Sequence, residues 1–313
     1  MNIQIQKMKV PSSDGKHALS GKVYLPEGTP RGLFHVVHGM AEHIDRYDEF
    51  ARYLAENGVL VYGQDHAGHG KSVGEGMPKG FFAEQNGWDA LVQDMRTLHD
   101  LVKKDYPSIP FILFGHSMGS FLARTYAGRD GKDFDAYVFC GTAGRNPVLP
   151  IAKLIAKREI KKHGPHEPSK LLHRLAFGAY NNAFRPNRTE VDWLSKNEKN
   201  VDRYLEDELC GFVFTAPAML DLFYGLSEVS GKKWAERVPK RPVLLIAGDR
   251  DPVGNMGKGV RQVADWLSDT KHTVELILYH DCRHEILNED IREDVYRDVM
   301  LFIETVAASG ELE

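Results

Sequence analysis

The chain has 313 residues, 42% hydrophobic and 27% charged, the balance of a soluble globular protein long enough for one enlarged domain or a domain with an insertion. Its 40 Lys and Arg against 44 Asp and Glu leave a net charge of −4, which excludes nucleic acid as the main partner because phosphate binding needs a basic face. Cys140, Cys210 and Cys282 lie far apart and form neither a zinc-type motif nor a disulfide framework, so a reducing compartment is expected.

The opening "MNIQIQKMKV" alternates polar and apolar residues like an edge strand and lacks a signal-peptide core. No apolar run approaches the ~18 residues that span a bilayer. A soluble cytoplasmic protein is therefore expected. Strands are expected at 3–10, 19–25, 33–38, 59–64, 111–115, 135–141, 243–248 and 273–279. The first two are joined by the turn cluster "PSSDGKH" and read as an antiparallel edge hairpin. The inner runs "LFHVV", "FILF" and "VLLIAG" are continuously apolar, as strands covered on both faces must be.

Helical patterns alternate with them. "DRYDEFARYLAENG" closes on Gly58, "WDALVQDMRTLHDLVKKDYP" stops at Pro107, and "DIREDVYRDVMLFIETV" comes last. Such alternation predicts an α/β fold with a mostly parallel central sheet, an antiparallel N-terminal edge and helices on both faces. The alternation breaks over 142–233, which is rich in prolines, aromatics and short helical pieces. These residues are expected to form a helical cap inserted into a core made of 1–141 and 234–313.

Gly115, Ser117 and Gly119 form G-x-S-x-G between an apolar strand and the helical "SFLARTYAG". Small flanking residues suit a crowded strand-to-helix elbow, and a helix N-terminus favours developing negative charge. A serine hydroxyl there needs a histidine to take its proton and an acid to orient that histidine. "GDRDP" offers Asp249 and Asp251, and "HDCRHEILNE" offers His280 and His284, each at the end of a later strand. Two backbone N–H groups must receive the oxyanion. Met118 follows the nucleophile and supplies one; "HGMAEH" supplies the other from Met40.

Taken in order, "SSDGKHALSGKVYLP", "HGMAEHIDRYDEFARYLAENG", "QDHAGHGKS", "GHSMGS", "GDRDPVG" and "RHEILNE" resemble the monoacylglycerol lipase and lysophospholipase group of α/β-hydrolases, a group related to the serine aminopeptidase family. The resemblance covers nearly the whole chain. It implies Asp251 as the acid, His284 as the base, Met40 and Met118 as oxyanion donors, and an insertion that caps an acyl-binding channel. Glu42 and Arg46 match positions near the glycerol in glyceride-hydrolysing relatives, which implies a substrate-binding role. Where such relatives can carry a polar residue three positions after the histidine, this chain has Leu287.

His35, His38, His43, His66, His69 and His116 crowd the same region, but their spacing matches no metal motif, and they read as groups that shape loops. "GHGKS" lacks the spacing of a phosphate loop. Residues 145–174 hold eight Lys or Arg against two Asp or Glu. That stretch reads as a solvated face or as a surface for anionic lipid. "CGFVFTA" reads as cap core or acyl-channel lining.

The expectation is a serine carboxylester hydrolase that acts on monoacylglycerols or lysophospholipids through an acyl-enzyme. Its partner is a small lipid ester, with no cofactor and no metal. The alternatives are an aminopeptidase-type serine hydrolase and a catalytically silent ligand-binding relative.

Overall fold

Eight strands form one sheet in the computed structural model, which describes residues 3–310. They are β1 (Gln4–Pro11), β2 (Ala18–Leu25), β3 (Gly32–Val37), β4 (Val59–Gln64), β5 (Phe111–His116), β6 (Ala136–Cys140), β7 (Val243–Gly248) and β8 (Val274–Tyr279). Their spatial order is β1-β2-β4-β3-β5-β6-β7-β8. The β1–β2 and β2–β4 pairs are antiparallel and all the others parallel. Every expected strand is present, with no end moved by more than one residue.

Every residue of β3 to β7 is buried, which is why those segments read as unbroken apolar runs. β1 alternates and stays largely exposed at the edge. Alternate residues of β3 feed two cores: Leu33 and Val37 face one, Phe34 and Val36 the other. Helices α1 (Asp48–Glu56), α2 (Gly87–Lys103) and α3 (Met118–Asp130) follow β3, β4 and β5. Leu91 and Leu98 of α2 and Leu122 of α3 join the first core, whereas Phe50 and Leu54 of α1 join the second.

Between β6 and β7 run α4 (Leu149–His163), α5 (Lys170–Phe177), α6 (Glu198–Glu206), α7 (Ala216–Glu228) and α8 (Lys232–Ala235). Both ends of this stretch meet on Arg124 of α3. Its buried guanidinium donates to Thr142 Oγ1 and the Ala143 carbonyl at one end and to the Val229 carbonyl at the other, and it lies over the Trp234 ring. With no carboxylate bonded to it among the described residues, burial lowers its pKa to about 9.

Two helices complete the fold, α9 (Lys258–Asp269) and α10 (Arg292–Gly310). α9 has no counterpart among the expected helices, because Gly254, Gly257 and Gly259 crowd its start and read as loop. Its Val260, Val263, Ala264 and Leu267 nonetheless keep helical spacing and are buried. Among the described residues no helix is long and apolar enough to cross a membrane.

Candidate active site

The sheet order reverses between β3 and β5, so the loops after these strands diverge and leave a crevice at their carboxyl ends. Ser117 stands there. Its backbone is at φ 53°, ψ −123°, a left-handed region that a non-glycine residue occupies only under strain. The turn is held by the Ser117 N–H, which donates to the Cys140 carbonyl at 3.0 Å. The flanking glycines are steric necessities. A Cβ on Gly115 would lie 2.3 Å from the Gly119 carbonyl oxygen, and one on Gly119 would lie 2.1 Å from that of Val37. Met118 then opens α3, where N–H groups have no acceptor within the helix.

The two acids and two histidines offered by the sequence sort into two pairs. Asp249 bonds His280 at 3.0 Å, with the imidazole 94% exposed. Asp251 bonds His284 Nδ1 at 2.9 Å, with side chains 0% and 2% exposed. A carboxylate only accepts, so Nδ1 of His284 carries the proton and Nε2 keeps its lone pair. His284 and Ser117 border the same cavity, although no hydrogen bond joins them among the described contacts. Gly248 permits this approach, since a Cβ there would lie 2.1 Å from the Cys282 carbonyl of the histidine loop.

The turn after β3 carries Met40 beside Ser117, with Gly39 packed against the serine. Glu42 holds that turn: its Oε1 accepts from the Gly39 N–H at 2.5 Å and the Tyr47 hydroxyl at 2.7 Å. Arg46 bonds Glu42 at 3.1 Å and clasps both carboxylate oxygens of Glu285, next to His284, at 2.5 and 2.8 Å. Asn200 completes the group, donating to Glu285 and accepting from Arg46. Burial works against charge on both carboxylates, yet the His116 and Arg46 partners of Glu42 hold it well below the usual range, and Arg46 lowers that of Glu285. Glu42 borders the cavity, whereas Arg46 is spent in this network.

The histidines shape loops. The His66 N–H donates to His38 Nε2 at 3.0 Å, which leaves the His38 proton on Nδ1, donated to the Gly39 carbonyl at 2.8 Å. Burial lowers His66 to about 4 and His69 to about 3, so both are neutral near pH 7. His116 differs. Its two nitrogens face the Glu42 carboxylate and the His284 carbonyl, both acceptors. Burial disfavours its charge, but Glu42 outweighs burial and raises its pKa.

Residues 28–291 match the model of the family described as serine aminopeptidase, S33. The chain belongs to that family. A monoacylglycerol lipase of Mycolicibacterium smegmatis is 28% identical over 94% of this chain and 98% of its own length. The human monoglyceride lipase is 28% identical over 96% and 90%. A carboxyl esterase from Bacillus coagulans, solved with glycerol, superposes with a TM-score of 0.92 at 32% identity, covering 97% of this chain and 99% of that one. The fold is thus the α/β-hydrolase fold of this family.

As in an enzyme of that fold, the site opens into a large cavity, here about 1390 Å³. Phe121, Ile155, Leu172, Phe212, Leu222 and Phe223 give it an apolar wall. Phe212 of "CGFVFTA" lines it, while Phe214 is core. Leu287 is buried in the second core. Sequence reasoning passed over Trp193, whose ring lies 5.2 Å from that of His284, and Asn200. Neither stands in a motif. The Glu42–Arg46 pair did carry a local signal, since opposite charges four residues apart can meet where the chain turns, as they do here just before and within the short turn 44–47.

Proposed function

We propose that this chain, a serine ester hydrolase, transfers the acyl group of a monoacylglycerol or lysophospholipid to Ser117 and then to water. Ser117 Oγ attacks the ester carbonyl and its proton passes to His284 Nε2. Asp251 holds the opposite nitrogen and stabilises the imidazolium. The Met40 and Met118 N–H groups receive the oxyanion, the alcohol leaves with the proton from His284, and water activated by the same imidazole frees the fatty acid. The observation that carries this reading is the buried Asp251–His284 pair bordering the same cavity as a serine strained into positive φ.

The apolar wall suits an acyl chain, and the glycerol held by the 32% identical esterase supports a glycerol head group. In this reading residues 142–233 are the cap over the acyl channel, with α7 packed on α2 and α3 as its anchor. Glu42 and Arg46 act as positioning residues that hold the oxyanion turn to the histidine loop, rather than as contacts to glycerol. The exposed apolar residues Val148, Ile151 and Leu175 beside the basic stretch suit contact with lipid surfaces. Three buried, unpaired cysteines suit the cytoplasm.

A peptidase reading needs a carboxylate for the substrate amine. Glu42 and Glu285 border the cavity but are bonded to Arg46, which leaves the exposed Glu190. Fluorophosphonate labelling tests the proposal. The native chain should react and be protected by monoacylglycerol or lysophospholipid, and Ser117→Ala should not react. Labelling that survives in Ser117→Ala, or turnover of aminoacyl-p-nitroanilides in preference to p-nitrophenyl esters, counts against it.

A further inference from the structure

Beside the oxyanion turn, three side chains outside the cavity wall converge from segments far apart in sequence. His43, Asp207 and Cys210 each bring one ligand atom within 4.8 Å of the others. His43 Nε2 lies 2.8 Å from Asp207 Oδ2. The other Asp207 oxygen accepts from the Leu209 N–H at 2.8 Å, which fixes the carboxylate and aims Oδ2 at the imidazole. His43 and Cys210 are buried, while the Asp207 side chain is 33% exposed and gives a route from solvent. A histidine–aspartate pair alone is an ordinary structural contact; a thiol within 4.8 Å of both ligand atoms is what changes its chemistry.

We propose that His43, Asp207 and Cys210 form a binding site for a thiophilic divalent cation, with Zn²⁺ the best match to the donor set. One imidazole nitrogen, one carboxylate oxygen and one thiolate are a borderline-soft set, and three protein ligands leave a fourth tetrahedral position for water. Bond lengths of ~2.0–2.3 Å put tetrahedral ligands roughly 3.3–3.8 Å apart, so the His43–Asp207 contact must open by about 0.5–1 Å as the ion enters. The Cys210 thiol proton leaves to solvent on binding. Thiolate and carboxylate then balance the two positive charges, and nearby Arg46 is already bonded to Glu42 and Glu285.

The position gives the site a consequence. His43 is three residues beyond Met40, and the Ala41 carbonyl already accepts from the Gly211 N–H at 3.0 Å and the Tyr204 hydroxyl at 3.4 Å. A bound ion adds a coordinate cross-link between the turn after β3 and the segment 207–211 of the insertion. The binding claim is independent of the reaction assigned to Ser117.

Cobalt(II) provides the direct test. The metal-free chain should take up one Co²⁺ with a thiolate-to-cobalt charge-transfer band and tetrahedral visible bands, and Zn²⁺ should displace it. Zn²⁺ should also raise Tm, since the site exists only in the folded chain. Cys210→Ser should lose the charge-transfer band, and it and Asp207→Asn should each weaken Zn²⁺ binding by more than the ~10–100-fold that loss of an outer-shell partner costs. Metal-free Cys210→Ser should keep the native Tm and p-nitrophenyl ester turnover, which separates loss of the ligand from loss of the fold. The proposal is overturned if the native chain shows no such band, if the band survives in Cys210→Ser, or if it is lost in Cys282→Ser instead.

Discussion

The Nδ1 atom of His284 lies 2.9 Å from Oδ2 of Asp251, with the Asp251 side chain wholly buried and the second carboxylate oxygen taken by the Val253 N–H at 2.8 Å. The carboxylate is thus fixed at both ends and has one direction in which to hold the imidazole. Four residues and two residues away, respectively, His280 and Asp249 repeat the contact in solvent, where water screens it and neither group reaches the cavity.

Two substitutions separate the pairs. Asp251→Asn presents an amide that can donate to Nδ1 and so favours the wrong tautomer of His284. A loss of about 10⁴-fold in kcat is expected, as for the equivalent change in other Ser-His-Asp enzymes. Asp249→Asn should stay near native turnover. The measurement is p-nitrophenyl butyrate hydrolysis across a pH series. Equal losses in the two variants would leave the acid unassigned.

Gly119 makes a prediction in which stability and activity move together. A Cβ there would lie 2.1 Å from the Val37 carbonyl oxygen and 2.5 Å from that of His38, and neither backbone atom can swing aside. Gly119→Ala should therefore push α3 away from the turn that carries Met40. The expected cost is at least the ~1–3 kcal/mol of an overpacked core, with turnover falling as the oxyanion donors separate. Thermal melts and steady-state kinetics check it; a native Tm with native kcat would show that the elbow relaxes freely.

Arg46 predicts a pH dependence. Glu42 and Glu285 are held below the usual carboxylate range, so the stability they contribute is full above the unfolded pKa of about 4.5 and is lost as pH falls through their lower folded values. Arg46→Met removes the shared cation and leaves Glu285 with Asn200 alone and Glu42 with His116, Gly39 and Tyr47, so burial is opposed less and their folded pKa values rise. The deficit should reach about 3–5 kcal/mol near neutral pH. It should shrink as pH falls toward about 4, where the carboxylate that has lost most, Glu285, protonates in the variant. Urea midpoints at the two pH values measure it. A deficit that does not change with pH would mean that Arg46 acts by packing over Tyr204 rather than by charge.

Much of this was legible because the relevant signals are local. The continuous apolar runs of β3 to β7 announce strands covered on both faces, and G-x-S-x-G between a strand and a helix announces the elbow. The choice between Asp249 and Asp251, and between His280 and His284, was not legible from the residues. Both acids follow β7 and both histidines follow β8, and only burial separates them. The Arg46–Glu285 bond spans 239 residues, and the Asn200 bond to the same carboxylate spans 85. No periodicity or spacing encodes contacts of that range. The strand order was equally hidden, because the crossing from β4 over β3 to β5 is fixed by packing of the intervening helix.

The basic stretch between β6 and β7 yields the last prediction. Val148 just before α4 and Ile151 and Leu154 on it are exposed large apolar residues, and Leu171 and Leu175 are exposed on α5, with cations interspersed. Not all of those cations are available to a surface. Lys153 and Lys157 stand over the Tyr224 ring of α7 at 4.4 and 5.9 Å, and reversing them would disturb the packing of α4 on α7. Arg158, Lys161 and Lys162 are exposed at the far end of α4 and are the better choice. If this face meets membranes, a long-chain monoacylglycerol in anionic vesicles should be hydrolysed faster than in neutral ones. Salt should erase the difference, because exposed charges are screened beyond ~8 Å at physiological ionic strength. Reversing Arg158, Lys161 and Lys162 to Glu should remove the preference and leave a short soluble ester untouched, since in the proposed mechanism its turnover depends only on Ser117, His284, Asp251 and the oxyanion donors Met40 and Met118. No vesicle-charge effect in the native chain would make the stretch a solvated face. Equal losses on both substrates in the reversed variant would trace the effect to misfolding of α4 instead of to charge.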